Sequence, residues 1–146
     1  KRKLTLTVLG QGPDEDELKS LADSLGLREK IFWGGFQPEP YKLMVNCDVL
    51  MLPSRTEGFP NIVLEASCLG MPTIAFSAAG GTCDVIKEGV NGRLVKFSTE
   101  DLADAVEIFD KNIFDVANVK NYARSNFSFS NVSEVYSSLF KLSVEV

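Results

Sequence analysis

A run of apolar residues without alternation, residues 48–53, constrains the fold of this chain most strongly. The run reads Asp-Val-Leu-Met-Leu-Pro, so its consecutive apolar side chains would point to both faces of a strand. A half-exposed antiparallel strand alternates apolar and polar residues, whereas a strand of a parallel sheet is covered by helices on both faces. The run therefore predicts a buried strand of a parallel sheet.

Strand-like and helix-like segments alternate along the rest of the chain. Four further β-rich runs cover residues 4–9, 30–33, 72–76 and 93–97. Helical patterns begin at Asp14, follow Pro38, cover residues 62–69 and 83–87, and form apolar stripes over 102–109 and 132–139. Gly70, Thr99 and Ser130 or Asn131 are the predicted helix caps. This alternation predicts an α/β fold with a doubly wound parallel sheet, in one domain over residues 1–146.

The composition excludes several classes of function. The chain has 146 residues and no histidine, so a Ser-His-Asp triad, a Cys-His pair and His-ligated zinc are impossible within it. The net charge of -5 argues against a nucleic-acid-binding surface. Cys47, Cys68 and Cys83 form no CxxC pair, and we interpret them as reduced, small hydrophobic residues. No membrane-spanning run or leader pattern is seen, so we expect a cytoplasmic protein.

The loop after the apolar run is the first candidate for a binding site. In open α/β sheets, ligands bind outside the carboxyl ends of the strands. Residues 54–61 follow such a strand and lead into an apolar helix whose N-terminus, with Pro60 in its first turn, has free N–H groups for a phosphate. Gly58 would let a ligand approach the backbone closely.

Two acidic residues accompany this loop. Glu57 lies just before the predicted helix, and Glu65 lies inside it on an otherwise apolar segment. A buried carboxylate needs strong partners, and ligand hydroxyls would provide them. Alternatively, Glu65 is bonded to the backbone or to an arginine, and Glu57 is solvated. The spacing alone leaves both interpretations open.

The residues 57–65 read E-G-F-P-N-I-V-L-E and match the E-x7-E signature of retaining glycosyltransferases of the bacterial group 1 family, which have the GT-B fold. Other segments resemble the family in the same order: the G-x-G-P turn after the first strand, residues 18–35, residues 48–54, and residues 80–92 with their paired glycines. The chain therefore resembles the Rossmann-like C-terminal half of a GT-B enzyme, which binds the nucleotide sugar.

The resemblance implies a role for each matched residue. Glu57 would be the catalytic residue and contact the donor sugar near the reacting carbon. Gly58, Phe59, Pro60 and Asn61 would line the donor sugar and diphosphate, and Glu65 would bind the ribose hydroxyls. Residues near the base would be Gly34, Gly35 and Phe36, and residues lining the cleft would be Gly10, Gly80 and Gly81. No metal or other cofactor is implied, because catalysis would depend on positioning and charge stabilisation.

The resemblance also implies segments beyond this chain. The family's C-terminal half begins with a further strand and an Arg/Lys segment that clamps the diphosphate, and an N-terminal domain binds the acceptor. We therefore expect a fragment that is inactive alone, from an enzyme that transfers a hexose from a UDP- or GDP-sugar to a glycan or lipid-linked acceptor. The full enzyme would associate peripherally with a membrane. A second copy of the fragment would fill the place of the missing strand, unless the neighbouring strands close up.

The C-terminal part of the chain has aromatic and apolar residues that are candidates for packing. Phe127 and Phe129 are expected to pack, and the apolar face of the helix after residue 132 is a candidate interface with the other domain.

The alternative functions are a nucleotide-sugar epimerase on the same fold, which would rely on histidines that this chain lacks, and a non-catalytic α/β module of the flavodoxin or receiver type. The Leu-rich first strand ends in glycine rather than in the acidic cluster of a receiver.

Overall fold

Five parallel strands and seven α-helices are described by the computed structural model, which covers residues 3–77 and 80–144. The strands are β1 (Leu6–Leu9), β2 (Ile31–Gly35), β3 (Leu50–Leu52), β4 (Thr73–Phe76) and β5 (Gly92–Val95). The helices are α1 (Glu15–Ser24), α2 (Tyr41–Met44), α3 (Asn61–Leu69), α4 (Thr82–Val85), α5 (Thr99–Glu107), α6 (Val116–Phe127) and α7 (Phe129–Val144). Short 3₁₀ turns cover Arg28–Lys30 and Lys111–Ile113.

The strands form two parallel sheets instead of one continuous sheet. One sheet pairs β1 with β2, and the other has the order β3-β4-β5. The chain divides correspondingly into two compact units, Lys1–Lys42 and Leu43–Val146. The parallel α/β pattern predicted from the sequence is confirmed, with each predicted strand present and shifted by at most a few residues.

The strand that is buried on both faces is β4. All four of its residues are buried, because it lies between β3 and β5. Residues 48–53 were predicted to form a strand buried on both faces. Only three of them form β3, and these three are half-buried. β3 lies at the edge of its three-stranded sheet, so an apolar run indicated a strand correctly but did not indicate its place in the sheet.

The core of the larger unit lies between its sheet, α3 and α4. Its buried members are Val63, Ala75, Val85 and Ile86. Partly buried side chains from β3, α3, β5 and the end of α6 pack against them: Leu50, Leu52, Ile62, Leu64, Leu94 and Phe127. α3 is therefore held by the sheet on one side, and α6 packs against it as well.

A buried asparagine joins the elements around α4. The Asn91 side chain is fully buried and accepts a hydrogen bond from the Lys87 N–H at 2.7 Å. Its amide donates to the Ser67 hydroxyl on α3 at 3.2 Å and to the Val85 carbonyl on α4 at 3.1 Å. Because buried polar groups must be hydrogen-bonded, this network ties α3 and the end of α4 to the turn before β5.

Several helix ends differ from the sequence-based expectations. α5 is capped by Ser98 and not by Thr99, and the Ser98 hydroxyl accepts from the Asp101 N–H at 2.9 Å. α7 begins at Phe129, one residue before the earlier of the two predicted caps. The apolar stripes did not predict α6, which lies between them. Asp115 caps this helix, because its side chain accepts a hydrogen bond from the Ala117 N–H.

Exposure corrects two expectations about packing and leaves a third open. Cys68 and Cys83 are exposed and are not core residues. Phe129 is 89% exposed, so the expectation that it packs is wrong. The apolar residues of α7 that the stripe indicated are also exposed, and their role as an interface stays a prediction: Val132, Val135, Tyr136 and Leu139. No described helix combines the length and apolarity needed to cross a bilayer.

Gly70 ends α3 as predicted, in a left-handed conformation with φ +82°. The Gly70 N–H donates to the Ser67 carbonyl, and the Met71 N–H donates to the Ala66 carbonyl, both at 2.9 Å. A Cβ at this position would lie 2.6 Å from Cγ1 of Val116, so α6 also requires a residue without a side chain.

We predict that Gly70→Ala lowers the free energy of unfolding by about 3 kcal/mol, from left-handed strain plus overpacking. Gly89→Ala is the matched control, because Gly89 also has a positive φ but faces open space. The control should lose only about 1 kcal/mol. Urea denaturation measures both values, and equal losses would contradict the packing argument.

Candidate functional site

Two loops meet at the carboxyl edge of the larger sheet. One follows β3 and contains Glu57 and Gly58, and the other follows β4 and contains Gly80 and Gly81. Glu57 and Gly80 form an isolated parallel bridge, and the Gly81 N–H donates to the Glu57 carbonyl at 3.2 Å. The contact extends the β3–β4 pairing beyond the strands and fixes the backbone from which the Glu57 side chain projects.

Only glycine fits at the second loop. A Cβ on Gly80 would lie 2.3 Å from the Glu57 carbonyl oxygen, and Gly80 has φ +109°. A Cβ on Gly81 would lie 2.0 Å from the Gly58 carbonyl oxygen. These distances are too short for any side-chain carbon, so the glycine pair predicted from the sequence allows the two loops to touch.

The N-terminus of α3 begins directly after the first loop. Pro60 is buried and precedes the helix, whose first residue is Asn61. The Asn61 N–H donates to the Phe59 carbonyl at 3.0 Å, and the Val63 N–H donates to the Pro60 carbonyl at 2.9 Å. Among the described residues no side chain caps this helix. Its positive dipole end therefore faces the same edge as the Glu57 loop.

The two acidic residues differ in their surroundings. Glu57 is half-buried, and Glu65 is exposed, so the expectation that Glu65 is a buried carboxylate is wrong. The physical reason is helix geometry: Val63 faces the core, and position 65 lies about 200° further around the helix axis. In the described part of the chain neither carboxylate accepts a hydrogen bond, so the alternative in which Glu65 is bonded to the backbone or to an arginine is not seen.

Phe59 is supported by an aromatic row, in which the expected packing of Phe127 is confirmed and the partners Phe59 and Tyr122 were not predicted. Its ring is 49% exposed and packs edge-to-face on Phe127, with 6.0 Å between ring centroids. Phe127, the last residue of α6, packs in turn on Tyr122 at the same centroid distance. The signal in the sequence was the helical spacing of Val119, Ala123 and Phe127, which places them on one face of α6.

The residues predicted to lie near the base and the first turn come together in the smaller unit. The Gly10 N–H donates to the Gly35 carbonyl at 2.8 Å, and both glycines have positive φ. Gly34 is packed so closely on Leu9 that a Cβ would lie 2.6 Å from the Leu9 Cδ2. Phe36 is 70% exposed. These four residues therefore lie at the carboxyl ends of β1 and β2, and their roles toward a base stay predictions.

Metal ligands are not clustered in the described ranges. Within residues 3–77 and 80–144, no group of three His, Cys, Asp or Glu side chains is close enough to hold an ion.

Comparison with known proteins identifies the family. A family model described as "Glycosyl transferases group 1" matches residues 1–126. A relative from Escherichia coli (strain K12), a lipopolysaccharide 1,6-galactosyltransferase, is 34% identical over 112 residues, which are 74% of this chain and 31% of that protein. The chain thus spans less than a third of the length of this relative.

Solved structures show the same fold. The apo form of the lipopolysaccharide outer core galactosyltransferase WaaB matches 94% of this chain and 40% of its own, with a TM-score of 0.79 and 24% identity. Anabaena Alr3699/HepE in complex with UDP and glucose matches 97% of this chain and 41% of its own, with a TM-score of 0.79 and 25% identity. These matches confirm the α/β fold class and the resemblance to a C-terminal domain, and the chain belongs to the group 1 glycosyl transferases.

Proposed function

We propose that this chain is the donor-binding half of a retaining glycosyltransferase that takes a hexose from a UDP- or GDP-sugar. One observation carries the proposal: the Glu57 loop, fixed by Gly80 and Gly81, lies beside the N-terminus of α3 at the carboxyl edge of the sheet. A site for an anionic sugar nucleotide needs backbone N–H groups for the phosphates and a nearby carboxylate that accepts hydrogen bonds from the sugar hydroxyls.

The diphosphate is assigned to the loop and the first turn of α3. A Cβ at Gly58 would meet no atom within 4 Å, so the backbone there is open to a ligand. Phosphate oxygens would accept a hydrogen bond from the Ile62 N–H, because the Asn61 and Val63 N–H groups already donate to carbonyls, and would interact with the helix dipole. As the bond to the sugar breaks, negative charge grows on the diphosphate, and fixed amides stabilise this charge more in the transition state than in the bound donor.

The sugar is assigned to Glu57. Its carboxylate would accept hydrogen bonds from the hexose hydroxyls near C1, and its negative charge would stabilise the oxocarbenium-like carbon that forms there. The Gly81 N–H holds the Glu57 backbone, so little conformational freedom is lost when the sugar binds. The chain has no histidine, so no imidazole of this chain receives the acceptor's proton.

The ribose is assigned to Glu65 in the second turn of α3. Two carboxylate oxygens match a vicinal diol, and an exposed position lets the side chain reach a ligand without a prior desolvation penalty. The support comes from the family match and from the eight-residue separation of the two acids, and no longer from burial.

The comparisons support the ligand class and the reaction. The HepE structure is described as a complex with UDP and glucose, and the E. coli relative is named a galactosyltransferase. We infer that this chain likewise serves hexose transfer in the assembly of a cell-surface glycan, with a glycan or lipid-linked acceptor. Turnover is assigned to the longer protein, because the chain spans only 31% of that relative.

We predict that Glu65→Gln weakens UDP binding by about tenfold to a hundredfold, the cost of hydrogen bonds to a charged group. Isothermal titration with UDP and GDP, then with their hexose conjugates, measures the change. Glu57→Gln should weaken the binding of the sugar nucleotides more than the binding of the free nucleotides. Glu134→Gln, an exposed acid on α7, is the control and should bind as the unaltered chain does. Unchanged UDP affinity in Glu65→Gln would contradict the ribose assignment.

We predict that Gly81→Ala separates the two loops and weakens binding of a UDP-hexose by about tenfold or more, because a shift of the Glu57 loop of even 1 Å misplaces its carboxylate. Gly12→Ala is the control, since a Cβ there meets nothing within 4 Å. Circular dichroism verifies that both variants fold. Full affinity in a folded Gly81→Ala protein would show that the loop contact is not needed.

A further inference from the structure

A hollow of about 340 Å³ lies away from the candidate donor site. One wall is helix α6, and the other is the turn at residues 89–90 together with Ile113. The turn precedes β5 and therefore lies at the amino edge of the sheet, whereas Glu57 and Gly80 lie at the carboxyl edge. We call this hollow the α6 groove. A ligand in it would be different from the donor.

Polar, uncharged side chains dominate the helical wall. Asn118, Asn121, Tyr122 and Ser125 follow one another at spacings of three, one and three, which places them on one face of α6. Together they offer two carboxamides and two hydroxyls, each able to donate and to accept hydrogen bonds.

These groups are not used by the protein itself. Among the described residues, none of the four side chains makes a hydrogen bond within the chain. Two asparagines outside the groove behave differently: the Asn126 amide donates to the Tyr122 carbonyl at 2.8 Å, and the Asn112 amide donates to Asp110 at 2.9 Å. The four side chains that line the groove therefore have hydrogen-bonding groups open to a ligand.

The helix that carries the wall is held by packing. Val119 and Ala123, on the other side of the same helix turns, are buried as α6 packs on α3. Tyr122 is half-buried and its ring packs edge-to-face on Phe127. The Tyr122 phenol is protonated at neutral pH even at its ordinary pKa, which burial raises further, so it can donate a hydrogen bond. Because packing already fixes the backbone of α6, only the side chains of the wall must be ordered when a ligand binds.

The charge of the lining narrows the class of ligand. Among the described residues no lysine or arginine lines the groove, and the chain has a net charge of -5, so an anion is disfavoured. Asp115 is the one carboxylate of the lining, and one of its oxygens already caps α6, so a metal ion lacks ligands. Val90 and Ile113 add a small apolar surface opposite the amides.

We propose that the α6 groove binds a neutral saccharide. Ring hydroxyls would pair with the carboxamides of Asn118 and Asn121, and the C–H face of the sugar would lie against the apolar residues. The volume falls at the lower end of the roughly 300–1,000 Å³ typical of small-molecule sites. The inference goes beyond donor binding: it assigns to this chain a second place that holds a glycan.

Titration of ¹⁵N-labelled protein with maltotriose, lactose and N,N′-diacetylchitobiose tests the proposal. At least one should cause saturable shifts of the side-chain NH₂ signals of Asn118 and Asn121, with the signal of Asn126 unmoved. Asn121→Ala should weaken this binding by about fivefold, the loss of one or two neutral hydrogen bonds. Asn126→Ala, on the same helix outside the groove, should not.

Three results would overturn the proposal. One is the absence of saturable shifts with all three saccharides. Another is that inorganic phosphate moves the same NH₂ signals as strongly as a saccharide does. The third is that Asn126→Ala weakens binding as much as Asn121→Ala does. A parallel UDP titration of the same sample reports on the Glu57 loop, so failure of the groove and failure of the donor site are seen separately.

Discussion

The contact between the Glu57 carbonyl and the Gly81 N–H determines how the rest of the site is arranged. It continues the pairing of β3 and β4 past the sheet edge, and it exists because Gly80 and Gly81 leave room for the opposing backbone. Behind it, α3 is held by the core and by α6, and α4 is held by the Asn91 network. An acidic side chain and a helix N-terminus are thus supported by packed elements on both sides, as a preorganised site requires.

The fold could be predicted from the sequence to the level of element order. Apolar runs, glycine turns and the cap at Gly70 each indicated local structure, and the structure follows them. What the sequence did not contain was the place of each strand in the sheet: β4 is central and β3 is at an edge, although their sequences are similarly apolar. That difference arises from pairing between distant segments, to which local patterns are insensitive.

The loops of the candidate site could be predicted from the sequence, but the burial of its acidic residues could not. The loop, the glycine pair and both acids were found by spacing and resemblance, and the structure brings Glu57 to Gly80. Glu65 was expected to be buried because its helix is apolar, yet α3 buries only the face of Val63, Ala66 and Ser67. Phe127 was expected to pack, but its partner Phe59 lies nearly seventy positions away, so a local pattern could not identify that partner.

Backbone amide shifts on addition of UDP-glucose or UDP-galactose to the ¹⁵N-labelled protein test the central claim most directly. If the Glu57 loop and the start of α3 hold the donor, the amides of Gly58, Asn61, Ile62 and Gly81 will move together and saturate, and the amides around the α6 groove will not. Saturable shifts confined to other parts of the larger unit, with these four amides unmoved, would contradict the assignment of the donor site.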